Sequence, residues 1–121
     1  MMKTLKLFLK TAVLSGLLLC LPFMNPLAHA DEWSGYRNIL SFGCHKGDGT
    51  CFVEVDGAPI NGGSTCIGNS IRWDAKKEAN GKSIFALIAI AKATNKKVGF
   101  AIQGCYSLQP QFPTFVWAMI E

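Results

Sequence analysis

The chain has 121 residues, with 12 lysines and arginines against 8 aspartates and glutamates, which gives a formal net charge of +4. Three of the lysines lie in the first ten residues, and from Asp31 onward the charge is only +1. This near balance argues against nucleic acid or an anionic membrane surface as the partner.

Residues 1–30 have the organisation of a secretory signal peptide. A lysine-bearing start is followed by the apolar run Ala12 to Leu21 and then by Pro22. Ala28 and Ala30 supply the small residues that a signal peptidase reads, so we predict cleavage before Asp31. The apolar run is too short to serve as a membrane anchor. The protein is therefore expected to be secreted or periplasmic, with no membrane span after cleavage.

Residues 31–121 are predicted to form a single small disulfide-bonded domain. Secreted domains of this size are usually cross-linked, because their cores are small. The even set of cysteines indicates two disulfides among Cys44, Cys51, Cys66 and Cys105. Since His45 is the one histidine in this part of the chain, we expect no metal site, and nothing in the sequence implies a cofactor.

Five short segments have the composition of β-strands, separated by turn-forming residues. In the second of them Cys51 and Val53 point one way, and Phe52 and Glu54 the other. In the fourth, Gly99 and Ala101 leave room on one face, where a helix or a neighbouring strand can approach. The predicted strands are Tyr36–Phe42, Cys51–Val55, Cys66–Trp73, Val98–Ile102 and Thr114–Ile120.

The apolar run from Ile84 to Ala91 is predicted to be a buried helix. Gly81-Lys82-Ser83 before it matches only the end of a phosphate-binding loop, since Lys76 stands where that motif needs a glycine. Eight apolar residues are also less than half a membrane crossing. One face of the helix is expected to be core and consists of Ile84, Leu87, Ile88 and Ala91. Three alanines are expected to form a flank that lets the helix approach a sheet closely: Ala86, Ala89 and Ala93.

Both ends of this helix carry typical signals. Ser83 or Asn80 can cap the first turn by accepting a backbone N–H. Asn95 can adopt the left-handed conformation that stops a helix. Three lysines near the carboxyl end suit the helix dipole and form a solvated end: Lys92, Lys96 and Lys97.

The predicted element order is β-β-β-α-β-β. This is the order of the OB-fold, a small β-barrel with one helix between its third and fourth strands. The fold class is therefore mainly β with one helix, as an OB-fold-like barrel with two disulfides. An α+β sandwich built from the same elements is the alternative.

The sequence also resembles a set of small secreted bacterial proteins. The segments that carry the resemblance are CFVEVDG, CIGNSIRWD, NGKSIFALIAIAKATNKKVGFAIQGCY and FPTFVWAMI. Their layout is similar to that of receptor-binding subunits of AB5-type toxins, such as the subtilase cytotoxin B subunit and pertussis-like B subunits. The resemblance implies pairing of Cys66 with Cys105 and of Cys44 with Cys51. It also implies glycan- or protein-directed binding and a homo-oligomer, but it transfers no sugar-contacting residue.

Catalytic constellations are sparse. His45 is next to Cys44, but a cysteine held in a disulfide has no thiolate to offer. Asp48 and Asp56 each precede a glycine, which is ordinary turn chemistry, and Glu54 lies on the solvent side of a strand. We therefore predict no catalytic residue and no enzymatic activity.

Aromatic residues are the better candidates for binding, because they combine flat apolar faces with a polar atom. Trp73 and Trp117 lie in predicted strands and are expected to be core. Trp33, near the new N-terminus, and Tyr106, at the start of a proline-containing loop, are expected to be exposed. Tyr36 is the fifth candidate of this kind.

Two functional hypotheses follow from the sequence. The first is a secreted, non-enzymatic binding module, toxin-subunit-like, that is directed at an unknown glycan or protein and is able to form homo-oligomers. The second is a small periplasmic or envelope protein with a structural or inhibitory role. An oligonucleotide-binding barrel is opposed by the small net charge and by export.

Overall fold

A computed structural model describes residues 32–121, so the predicted signal peptide and its cleavage site lie outside the described residues. The described chain is mainly β with one helix. The elements in chain order are β1 (Glu32–Trp33), β2 (Ile39–Cys44), β3 (Thr50–Val55), β4 (Ile60–Asn61), β5 (Ile67–Gly68), β6 (Ser70–Asp74), α1 (Gly81–Ala93), β7 (Val98–Cys105) and β8 (Pro113–Ile120).

The strands form three antiparallel sheets, in the orders β1-β7-β8, β2-β3-β6 and β4-β5. The two larger sheets meet at both sides. A backbone bridge joins Arg37 to Val98, and the Thr114 hydroxyl donates a hydrogen bond of 2.6 Å to the carbonyl of Arg72. Among the described residues no ladder joins β6 to β8, so the sheets do not close into a barrel.

Two predicted strands are interrupted in the structure. The segment predicted as Cys66–Trp73 is divided into β5 and β6 at Asn69, whose side-chain amide donates to the carbonyls of Val55 and Gly57, both at 3.0 Å. The predicted first strand, Tyr36–Phe42, is a regular strand only from Ile39, where β2 begins, because Arg37 makes an isolated bridge to Val98 and Asn38 bonds the Asp56 side chain instead. Side-chain hydrogen bonds of asparagines therefore break patterns that look continuous in the sequence.

The helix lies where it was predicted and packs on β2 and β8. Ile88 and Ala91 are fully buried, and Ile84 and Leu87 pack partly buried against the core. The prediction that three alanines form a flank against a sheet was wrong, because Ala86 and Ala93 are exposed and Ala89 is only half-buried. Within residues 32–121, no helix combines the length and the apolar character needed to cross a membrane.

The predicted side-chain cap was also wrong. Asn80 is the N-cap by position, but it adopts a left-handed conformation with φ 62° and makes no capping hydrogen bond with its side chain. At the other end Asn95 has φ 56°, as expected of a helix stop, and the Lys96 N–H donates to the Ala91 carbonyl at 2.8 Å. Lys92 uses its ammonium to bond the carbonyl of Ile39 at 2.9 Å.

The core fills the space between the two larger sheets and the helix. Trp73 and Phe100 are its largest side chains, and Phe115 contacts both edge-on, at ring separations of 5.6 and 5.1 Å. The other buried apolar members are Ile39, Cys51, Val53, Val55, Ile60, Ile71, Ile88, Ala91, Val98 and Ile102.

Both disulfides are formed, with the pairing that the resemblance implied. Cys44 is bonded to Cys51 directly across the β2–β3 ladder. Cys66 is bonded to Cys105 over a sequence separation of 39 residues. The close approach of Cys66 and Cys105 depends on Gly62, where an added Cβ would lie 2.6 Å from the Gly104 carbonyl oxygen and 2.8 Å from the Cys66 sulfur.

Tyr106 is buried rather than exposed, which corrects the prediction from the sequence. Its hydroxyl is hydrogen bonded at 2.9 Å to the hydroxyl of Thr50, which is itself fully buried. Removal from water raises the pKa of Tyr106 above the ordinary tyrosine value of 10.0. The ring therefore anchors the loop between β7 and β8 to the start of β3.

This burial predicts a fall in stability at alkaline pH. The unfolded chain loses the tyrosine proton near the ordinary pKa, while the folded chain holds it to higher pH. The free energy of unfolding should therefore fall as pH rises above 10.0, with a slope of at most about 1.4 kcal/mol per pH unit. Urea unfolding at pH 9 to 11.5 measures this slope.

Tyr106→Phe is the control for that titration. This substitution should remove the contribution of Tyr106 to the fall in stability at alkaline pH. Near neutral pH it should lower the free energy of unfolding by about 1–3 kcal/mol, because the buried Thr50 hydroxyl loses its hydrogen-bond partner. Tyr36→Phe removes an exposed hydroxyl and should change the free energy of unfolding by less than about 0.5 kcal/mol. Equal alkaline slopes in wild type and Tyr106→Phe would contradict the assignment.

Candidate functional site

Four large side chains form an exposed cluster on the outer face of the β1-β7-β8 sheet. We name Trp33, Tyr36, Trp117 and Met119 the aromatic platform. The rings of Trp33 and Trp117 are stacked, with centroids 5.2 Å apart and an angle of 26° between their planes. Tyr36 meets Trp33 edge-on at 5.4 Å, and its hydroxyl lies 3.1 Å from the Met119 sulfur. Each of the four side chains is between 40 and 45% exposed.

The platform forms because the strand beneath it carries almost no side chains on that face. Ala101 pairs with Trp33 on one side and Trp117 on the other, so the two tryptophans flank a single methyl group. Gly99 lies under the Trp33 ring, where an added Cβ would be 2.1 Å from the ring edge. The sequence predicted that Gly99 and Ala101 make room for a helix or strand, and the structure fills that room with an indole ring.

A β-bulge places Trp117 outside. Ala101 pairs with Trp117, but the next residue of β7, Ile102, pairs with Phe115, so Val116 is an extra residue in β8. Phe115 therefore points into the core while Trp117 points outward. Strict alternation would put both on one face, which is why the prediction of a buried Trp117 was wrong.

Polar contacts fix the position of Trp33. The adjacent Ser34 is buried; its backbone N–H donates to the Phe100 carbonyl, and its hydroxyl accepts the Phe100 N–H, both at 2.9 Å. Arg37 donates from its guanidinium to the carbonyls of Ser34, Asp56 and Ala58. The short strand β1 is thus held against β7 by more than its own two residues. The exposed Trp33 predicted from the sequence is confirmed.

Gly99→Ala should disrupt the platform while leaving the fold intact. The new methyl group overlaps the Trp33 ring, which has to swing away from Trp117. We expect loss of the coupled tryptophan signal in near-ultraviolet circular dichroism and a fall in the free energy of unfolding of about 1–3 kcal/mol. Gly68→Ala is the matched strand control, since nothing lies within 4 Å of its added Cβ. A Gly99→Ala spectrum identical to wild type would rule out this packing.

A cleft of about 230 Å³ adjoins the platform at Trp117. Residues 78–81, which lead into the helix, and residues 115–118 of β8 line it together with Trp73 and Ile84. The Trp73 indole N–H donates to the Gly81 carbonyl at 2.9 Å, which ties the helix start to β6. Trp73 is buried, as the sequence predicted. Trp117 therefore belongs to both the platform and the cleft wall.

The polar residues considered from the sequence lie elsewhere. His45 is 3.6 Å from Asp48 in the β2–β3 turn. The Thr50 N–H donates to Asp48 and lowers the pKa of that carboxyl, and Asn38 does the same for Asp56 through its side chain and backbone. The Asp48 bond lies within the β2–β3 turn, whereas the Asp56 bonds join the residue after β3 to the residue before β2. Over residues 32–121 no group of three histidine, cysteine or acidic side chains is placed to hold a metal ion.

Gly81-Lys82-Ser83 forms the first turn of the helix. Gly81 is buried. There is no room for a side chain at this position, since an added Cβ would lie 2.6 Å from the Asp74 carbonyl oxygen and from the Ala75 Cα. The glycine is therefore explained by close packing.

Comparisons of the chain with protein-family models, curated protein sequences and solved structures find no match.

Proposed function

We propose that the protein is an exported, non-enzymatic binding module whose aromatic platform recognises a carbohydrate. The observation that carries this proposal is the stacked, half-exposed pair Trp33 and Trp117 beside the Tyr36 hydroxyl. Aromatic faces pack against the C–H faces of sugar rings, while indole N–H and phenol O–H groups bond sugar hydroxyls. Large aromatic rings left in water on one face of a sheet are typical of a recognition surface.

The size of the platform favours a sugar over a protein ligand. A stable protein interface uses roughly 20–30 residues on each side. The platform offers four large side chains, which match the area of one or two sugar rings. A protein ligand is therefore an alternative that the binding experiment below can reveal.

Export is part of the proposal. Two disulfides are compatible with an oxidising, extracytoplasmic compartment, where such cross-links persist. They agree with the signal peptide predicted over residues 1–30.

An OB-like arrangement and a toxin-subunit-like role are the finer parts of the proposal. The helix lies between β6 and β7, and the Arg37–Val98 bridge brings the β2 sheet to the β7 sheet, as the OB order requires. A toxin-subunit-like role adds a homo-oligomer. Native mass spectrometry of the exported protein tests that addition, and a monomeric mass would reject it.

A glycan array probed with the exported, processed protein tests carbohydrate binding. We expect binding to a set of related glycans and its loss in the double variant Trp33→Ala/Trp117→Ala. Leu108→Ala removes an apolar side chain that is 54% exposed in the loop between β7 and β8, and it should bind like wild type. Absence of binding to every glycan, or binding that survives in the double variant, would reject the proposal.

A further inference from the structure

We infer that the saccharide bound at Trp117 is one without acidic groups, held by Glu78 and Asn80 in the adjoining cleft. This inference rests on the proposed function and names its ligand class. Glu78 and Asn80 line the same cleft as the strand segment that contains Trp117. An aromatic wall facing planar polar side chains offers a sugar ring both stacking and hydroxyl recognition.

Both polar side chains are free to bond a ligand. Asn80 makes no capping hydrogen bond, and neither its amide nor the Glu78 carboxylate bonds another of the described residues. Both residues are exposed at the cleft wall. The carboxylate accepts from sugar hydroxyls, while the amide both donates and accepts, so together they match paired hydroxyl groups.

Charge decides between sugar classes. Glu78 carries the one formal charge among the described residues that line the cleft. A sialic or uronic acid placed there would face a carboxylate with no lining cation to balance it, and like charges at close range are unfavourable. A neutral sugar meets no such penalty and gains a charge-assisted hydrogen bond.

The backbone at Asn80 allows a clean test. Its φ of 62° is a conformation that glycine adopts without strain. Asn80→Gly therefore deletes the amide while preserving the chain path into the helix. Glu78→Gln keeps the shape of the side chain and removes its charge.

The experiment measures affinities of the exported protein for a panel of neutral oligosaccharides and the same oligosaccharides bearing a terminal sialic acid. Wild type should bind the neutral members at least about tenfold more tightly. Asn80→Gly should weaken neutral binding about three- to tenfold, the loss of one hydrogen bond. Glu78→Gln should narrow the preference for neutral over sialylated members.

The outcomes separate this inference from the proposed function. Preferential binding of the sialylated members, abolished by Trp117→Ala, would overturn the inference and leave the carbohydrate platform standing. Neutral binding unaffected by both Asn80→Gly and Glu78→Gln would overturn it in the same way. Binding to no member of either panel would reject the proposed function as well.

Discussion

Replacing Cys66 and Cys105 together by alanine is expected to lower the free energy of unfolding by about 4 kcal/mol, since the bond closes a long loop and its loss frees the unfolded chain. The total free energy of unfolding of a small domain is only about 5–15 kcal/mol. The variant should therefore be partly unfolded at physiological temperature. Urea unfolding followed by tryptophan fluorescence measures the loss.

The second disulfide supplies the control. Cys44→Ala/Cys51→Ala opens a loop with a separation of 7 residues, for which the chain-entropy model gives about 2.5 kcal/mol. Loss of the Cys66–Cys105 bond is expected to lower the free energy of unfolding more than loss of the Cys44–Cys51 bond. If the Cys66–Cys105 pair contributed less than the Cys44–Cys51 pair, loop closure would not be the main source of its stability.

Trp117→Ala is expected to reduce carbohydrate affinity at least tenfold, by about 1.4 kcal/mol or more, because a stacking face and its buried area are both lost. The fold should remain, since Trp117 is 45% exposed and its neighbours Phe115 and Ala118 supply the inward packing of β8. Titration calorimetry with a glycan selected by the array measures the affinity.

Two comparisons make this result specific. Trp117→Phe retains a smaller ring and should recover part of the affinity, which a purely structural role for the indole would not require. Leu108→Ala should leave binding unchanged. Wild-type affinity in Trp117→Ala would show that the platform is not the binding surface.

The sequence predicted the parts of the fold that depend on local pattern. The helical spacing of Ile84, Leu87, Ile88 and Ala91 was sufficient to place α1, and Asn95 marked its end. The alternation through Cys51 and Val53 correctly predicted their burial. These features are visible because each depends on residues that are close together in the chain.

The candidate site could not be predicted in the same way. Trp117 is outside only because Val116 is an extra residue in its strand, and a bulge of this kind leaves no sign in the alternation of residues. The burial of Tyr106 depends on its hydrogen-bond partner, Thr50. Because Thr50 is 56 residues away in the chain, no local pattern around Tyr106 indicates that burial. Gly99 and Ala101 were the one local signal of the platform, as small residues facing outward, but their partner Trp33 comes from a distant segment.

The most direct test of the carbohydrate platform uses the three tryptophan indole N–H resonances of the exported protein, assigned by substitution. On titration with a glycan selected by the array, the Trp33 and Trp117 resonances should shift together and saturably. Trp73, buried and bonded to the Gly81 carbonyl, should shift much less. Unmoved Trp33 and Trp117 resonances at glycan saturation would contradict the account.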